Sequence, residues 1–238
     1  MKKTAFTLAE VLITLTIIGV IAALTIPNLL QNYTEQATVS KVKKFYSTVS
    51  NASALAIKEN GPIDEWGLTG NNSESSQKIY EKLFKTHFKV AKDCGVDNKG
   101  NCVSNNLHKN LNKADAPANY GTNDVFYKVT LNDGSAVIFY SSDGSDIIFI
   151  TDVNGPKEPN QWGVDTFYFR LHPYYGKVVP FGVQSGTYSI YPFDENCQKN
   201  AGGNLAGIGC AAWVIYKGNM DYLHCDGLTW NKNSCKDK

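Results

Sequence analysis

The chain has 238 residues, with 23 Lys and Arg against 22 Asp and Glu, and is 42% hydrophobic, 12% aromatic and 19% charged. These proportions exclude a wholly disordered chain, a collagen and a polycation that coats nucleic acid. Arg170 is the only arginine, so guanidinium clamps for phosphate are almost lacking and no nucleic-acid partner is expected.

The first element is apolar. After Lys2 and Lys3, residues 6–30 contain one acid, Glu10, and no base occurs until Lys41. Residues 11–30, mostly Val, Ile, Leu and Ala, are 20 in number. As a helix rising 1.5 Å per residue they match the roughly 30 Å core of a bilayer. A cleaved secretory signal would explain the two lysines, the apolar run and Ala22-Ala23 as a cut site. Glu10 argues against it, because a carboxylate at a bilayer centre costs about 2.5–3.5 kcal/mol, less near the interface. A membrane helix that must find a partner for that charge gains from it. The alternative role for Glu10 is local, a first-turn acid complementing the helix dipole.

The stretch Lys-Thr-Ala-Phe-Thr-Leu-Ala-Glu-Val-Leu-Ile-Thr-Leu-Thr-Ile-Ile-Gly-Val-Ile-Ala-Ala-Leu-Thr-Ile-Pro, positions 3–27, resembles the class III signal of type IV prepilins and type II secretion pseudopilins. The resemblance implies a leader of residues 1–5, cleavage by a prepilin peptidase between Ala5 and Phe6, and methylation of the new Phe6 amine. It places Glu10 as the fifth mature residue. Ala5 stands where the family usually has Gly. Removing the leader takes away Lys2 and Lys3 and leaves 21 bases against 22 acids, which weakens a DNA-uptake role. Once exposed, the Phe6 amine is a cation beside lipid, and Glu10 is its nearest counter-charge. Paired with the amine of a neighbouring subunit, Glu10 fixes the axial register of packed helices.

Pro27 removes one helical hydrogen bond and is expected to kink or loosen the helix, with Gly19 a second soft point. The resemblance places bending or melting during filament assembly in this portion. The pattern continues beyond it. Val39, Val42, Phe45, Tyr46, Val49, Ala52 and Ala56 recur at three- and four-residue spacing, with Lys41, Lys43, Lys44 and Lys58 mostly off the stripe. Residues 6–30 therefore form a membrane half and 31–60 an amphipathic half of one helix about 80 Å long. Asn60-Gly61-Pro62 ends it and a globular region, 61–238, follows.

A second helix is expected over Glu74–Lys92, with His87 a core histidine. Cys94 and Cys102 bracket a Gly- and Asn-rich loop short enough for a local disulfide. From Val125 the period becomes two. Strands are read at 125–131, 135–140, 147–150 and 164–171. Asn132-Asp133-Gly134 and Ser142-Asp143-Gly144 turn between the first three. The expected fold class is α+β, a long N-terminal helix packed on an antiparallel β-sheet, which is also the pilin-like fold the resemblance implies.

In the loop 152–165, Asp152, Asn154, Asn160 and Asp165 offer the oxygen donors calcium prefers, without the spacing of an EF-hand. The competing reading is a rigid turn set by Gly155, Pro156 and Pro159. A similar loop occurs in secretion pseudopilins, whose major members bind calcium, so the resemblance adds calcium as a candidate cofactor. Toward the C-terminus, Ala211–Tyr216 and Met220–Cys225 read as a hairpin turning at Gly218-Asn219. Cys197, Cys210, Cys225 and Cys235 allow three pairings; the hairpin favours Cys210 with Cys225, leaving Cys197 for Cys235. The even cysteine set, with no C-x-x-C pair, points to an oxidising compartment.

No catalytic machinery is recognised. His87, His108, His172 and His224 form no metal motif, no G-x-S-x-G is present, and the glycine-rich tract 201–209 lacks a phosphate-loop Lys. Asp143, Asp146, Asp152 and Asp165 read as turn carboxylates rather than a glycosidase pair. Tyr174, Tyr175, Trp213 and Trp230 could face a sugar or protein, though packing accounts for them. The expectation is a non-enzymatic structural subunit, a type II secretion pseudopilin, with a type IV pilin for adhesion, motility or DNA uptake as the alternative. Its partners are other subunits, the prepilin peptidase and the assembly machinery. Its location is the bacterial inner membrane, crossed once, with the globular part in the periplasm or at the surface. An exported carbohydrate- or protein-binding module on a cleaved signal is the remaining alternative.

Overall fold

The computed structural model describes residues 7–184, 186, 190–198, 204–225 and 227–232. Ala5, Phe6 and Cys235 lie outside them. Helix α1 runs from Leu8 to Asn60, 53 residues that continue through Pro27. Proline has no N–H, so the carbonyl of Ala23 loses its helical donor there. The chain divides into two compact units, Met1–Ala37 and Thr38–Lys238.

In the first unit α1 carries an apolar surface long enough to cross a membrane, with none of its most apolar 18-residue window buried. Its threonines suit that surface. The hydroxyls of Thr14, Thr16 and Thr25 donate to the carbonyls of Val11, Leu12 and Ile21 at 2.9, 2.8 and 2.9 Å, so these three donors are paired in an apolar medium.

In the second unit the stripe is buried as the spacing requires. Val42, Val49 and Ala56 are fully enclosed, and Val39, Phe45 and Ala52 nearly so. After a short 3-10 turn at Ile63–Trp66, helix α2 (Ser73–Ile79) starts with Asn72 accepting from the Ser75 N–H. It passes through a π turn at Tyr80–Phe84 into α3 (Lys85–His87). The helix expected to reach Lys92 thus stops at His87. Phe88 is extended, and Val90–Gly95 is strand β1; pairing along β2 overrides the weak helical periodicity there.

The sheet is a six-stranded antiparallel meander, β1 (Val90–Gly95), β2 (Tyr127–Leu131), β3 (Ala136–Ser141), β4 (Ile147–Asp152), β5 (Thr166–His172) and β6 (Lys177–Pro180), in chain order. Phe139, Phe149 and Phe169 are in register across three strands. They face the helical side, where Phe84 stacks on Phe139 at 4.0 Å and Phe45 meets Phe169 edge-on at 5.3 Å. The alternate residues Ile138, Ile150 and Tyr168 face the other way and are buried as well. That second face is covered by Val103, Ala116, Tyr120, Trp162, Phe181 and Ile208. The core is therefore double, which is why every residue of β4 is buried.

Near the C-terminus, α4 (Phe193–Asn196) precedes a 3-10 turn (Ile208–Cys210) that leads into α5 (Ala211–Lys217). The hairpin expected over 211–225 is absent from these described residues. Ala211 and Ala212 favour a helix. Gly218, at φ 74°, ends it in the left-handed cap rather than turning a hairpin. Asp221–Leu223 forms another 3-10 turn. The pairing expectation changes with it. Cys94 joins Cys102 as anticipated, but Cys197 joins Cys210. Cys225 is also disulfide-bonded.

Candidate functional site

Loop 152–165 leaves the end of β4 and returns as β5, with the Glu158–Pro159 peptide cis. It is organised around Asp165, which is 4% exposed. One carboxylate oxygen accepts the N–H of Asn160 at 2.9 Å and the Asn154 amide at 3.2 Å. The other accepts the N–H of Gln161 at 2.6 Å and the Thr166 hydroxyl at 3.2 Å. Both oxygens are thus engaged by the turn itself, as an Asx scaffold requires.

Asp152, fully buried, is different. Its Oδ1 accepts the N–H of Asn154 at 3.1 Å, while Oδ2 has no hydrogen-bond partner among the described residues. That oxygen lies 3.6 Å from Nε2 of His108, whose imidazole is also fully buried, with neither ring nitrogen hydrogen-bonded among the described residues. His108 arrives from the long segment between β1 and β2. Lys109 forms a parallel bridge with Gln161 and donates its N–H to the carbonyl of Asn160 at 2.9 Å. The bridge sets His108 beside Asn160, which is 1% exposed and whose side-chain amide is unpartnered, as is Oδ1 of Asn154. No local pattern announced His108, because its neighbours come from more than 40 residues away across a one-residue bridge.

Burial dominates the electrostatics. It raises the carboxyl of Asp152 to about 7, against the N–H groups of Asn154 and Gly155 and the charge of Lys41. It also raises Asp165 to about 7, with the Asp152 charge adding to the effect. The His108 imidazole is lowered to about 4 by burial, partly offset by Asp165 and Glu158. Lys41, on the domain half of α1, donates to the carbonyl of Val153 at 2.7 Å and so ties the helix to this loop.

At the other end of the chain, Thr7 and Glu10 form a reciprocal cap. The Thr7 N–H and hydroxyl both donate to Oε2 of Glu10 at 2.8 Å, and the Glu10 N–H approaches the Thr7 hydroxyl at 3.3 Å. This Thr-x-x-Glu capping box engages the carboxylate locally. The other carboxylates considered are separated. Asp146 pairs with Arg170 at 2.7 Å and Asp143 caps the β3–β4 turn, at the opposite end of β4 from Asp152. His87 stands 3.2 Å from Glu59. Trp213 is core, stacked on Phe193 at 4.3 Å, with Trp230 edge-on to it. Tyr174 and Tyr175, at the β5–β6 turn, are exposed.

Together these features define an α+β protein with an apolar, membrane-length N-terminal helix, a two-faced antiparallel sheet and an internally disulfide-bonded domain. The helix is long and apolar enough to span a membrane, and the disulfides accord with an oxidising compartment. Residues 28–212 match DUF6613, a family of unknown function, and the chain belongs to that family. No curated protein and no solved structure matched.

Proposed function

We propose that the protein is a non-enzymatic, membrane-anchored filament subunit of the pseudopilin kind, working in a type II secretion-type assembly at the bacterial inner membrane. The carrying observation is the division of labour along α1. Its first part presents an unburied apolar surface headed by Glu10, and the part from Thr38 onward is built into the core of a disulfide-bonded domain. Such a helix gives each subunit a lipid-compatible rod for packing against copies or paralogues. In this reading Ala5-Phe6 is the processing site, and Glu10 exchanges its Thr7 contacts for the Phe6 amine of a neighbour. Pro27, by weakening the ladder, lets the rod adjust as it leaves the bilayer. The same anchor serves a type IV pilin, and the loop 152–165 favours the secretion branch.

The test is Glu10→Gln in the native host. The variant is expected to reach the membrane and be cleaved, yet to disappear from the sheared high-molecular-mass fraction and from cross-linked ladders. Ladders indistinguishable from wild type would overturn the assembly role.

A further inference from the structure

Loop 152–165 and the neighbouring His108 carry more unengaged polar atoms than a turn needs. His108, Asp152 and Asn160, all buried, and the half-buried Asn154 each carry a side-chain nitrogen or oxygen atom with no hydrogen-bond partner among the described residues, and His108 Nε2 stands 3.6 Å from Asp152 Oδ2. Three of them are at most 1% exposed. Unpaired polar atoms in such a place are costly, and the imidazole, the carboxylate and the amide oxygens among them have lone pairs to offer a ligand. Among the described residues no three His, Cys, Asp or Glu side chains cluster at metal-binding spacing. The charged donors are therefore two, His108 and Asp152, and amide oxygens complete the set.

We propose that His108 Nε2, Asp152 Oδ2 and the side-chain oxygens of Asn154 and Asn160 hold one first-row divalent metal ion of the manganese-to-zinc range. The argument for this class over calcium is the donor count. Calcium takes six to eight oxygen ligands and has little use for imidazole. Asp165, the obvious further oxygen donor, already accepts four hydrogen bonds from the turn. What remains is one imidazole, one carboxylate oxygen and amide oxygens, a mixed N/O set that Mn2+ and Zn2+ accept. The 3.6 Å between His108 Nε2 and Asp152 Oδ2 is a span that one ion with bonds of about 2.0–2.2 Å bridges. Asp165 is then a positioning residue, holding Asn154 and Asn160 in place. The ion would add a further tie between the segment linking β1 to β2 and the sheet, beside the bridge at Lys109 and Gln161 and the packing of Val103, Ala116 and Tyr120 on its second face.

The full-length, untagged chain in detergent micelles is equilibrated with equimolar Mn2+, Zn2+ and Ca2+, stripped of free metal by gel filtration, and analysed by inductively coupled plasma mass spectrometry. The expected result is about one equivalent of Mn2+ or Zn2+ and little Ca2+, with His108→Asn and Asp152→Asn each lowering the retained metal about tenfold or more. Because either variant could fail to fold, the wild-type protein loaded with Mn2+ is also examined by electron spin echo spectroscopy, where a directly bound imidazole nitrogen is expected. Absence of bound metal, absence of that nitrogen coupling, or retention of calcium alone would each overturn the proposal.

Discussion

Asp133 offers the sharpest test of how the domain half of α1 is fastened to the sheet. It sits in the β2–β3 turn, where Oδ1 accepts from the Ser135 N–H at 3.2 Å and hydroxyl at 2.6 Å, and Oδ2 pairs with Lys44 of α1 at 2.6 Å. Partial burial pushes its carboxyl up, but the Lys44 and Ser135 contacts outweigh this and bring it down to about 2. Against an unfolded value near 3.9 the difference is roughly 2 pH units, or at most about 2.6 kcal/mol. The side chains of Lys44 and Asp133 are 62% and 27% exposed, and solvent screening reduces the expected contribution to about 1 kcal/mol. The folded pKa is depressed, so this stability is present above about pH 4 and is lost as the pH falls toward 2. Asp133→Asn is therefore expected to lower the unfolding free energy by about 1 kcal/mol at pH 7 and to leave it unchanged at pH 2. Urea unfolding of both proteins across that range, in the same detergent, measures the difference. A difference between the two proteins that is flat from pH 5 to pH 2 would refute the assignment, as would a loss unaffected by removing Lys44.

The helix–sheet core predicts that Phe84→Ala, which deletes a fully buried ring stacked on Phe139 and Phe88, costs about 3–5 kcal/mol in the same assay. Replacing Cys197 and Cys210 together by Ser opens a bridge between residues 13 apart and is expected to cost about 3 kcal/mol; peptide mapping of the wild type should return the Cys197–Cys210 linkage and not Cys210–Cys225. Gly163, at φ 73°, has no room for a side chain, since an added Cβ would stand 2.7 Å from Sγ of Cys210. Gly163→Ala is expected to lower the thermal midpoint through both strain and displacement of the bridge, with a destabilisation of at least 1 kcal/mol, whereas Gly134→Ala, strained but sterically open, should cost less.

Much of this fold was legible because its signals are local. The helical stripe from Val39 to Ala56 and the Asn-Asp-Gly and Ser-Asp-Gly turns each specify their element within a few residues. The Cys94–Cys102 bridge closes so short a loop that proximity alone selects it. The misses are non-local. Strand β1 gains its identity from pairing with β2 through an irregular register, across a segment of more than 30 residues. The second sheet face is hidden because a strand buried on both sides shows continuous hydrophobicity rather than alternation, as Ile147–Ile150 does. Trp213-Val214-Ile215-Tyr216 has strand-like composition, yet burial against Phe193 and the cap at Gly218 make it a helix. The same limit applies at the candidate site. Asp152, Asn154, Asn160 and Asp165 were visible as a group. That Asp165 serves the turn while His108 comes to lie beside Asp152 follows only from the three-dimensional bridge between residues 109 and 161.

The central claim is that the apolar head of α1 becomes the mature N-terminus of a filament subunit. Intact-mass and N-terminal peptide mass spectrometry of the protein extracted from native membranes tests it most directly. The account predicts a chain beginning at Phe6, carrying one methyl group on its amine and retaining Glu10. A chain beginning near Thr25 and recovered in the soluble fraction would contradict it, since Glu10 and the anchoring helix would then be missing from the working protein.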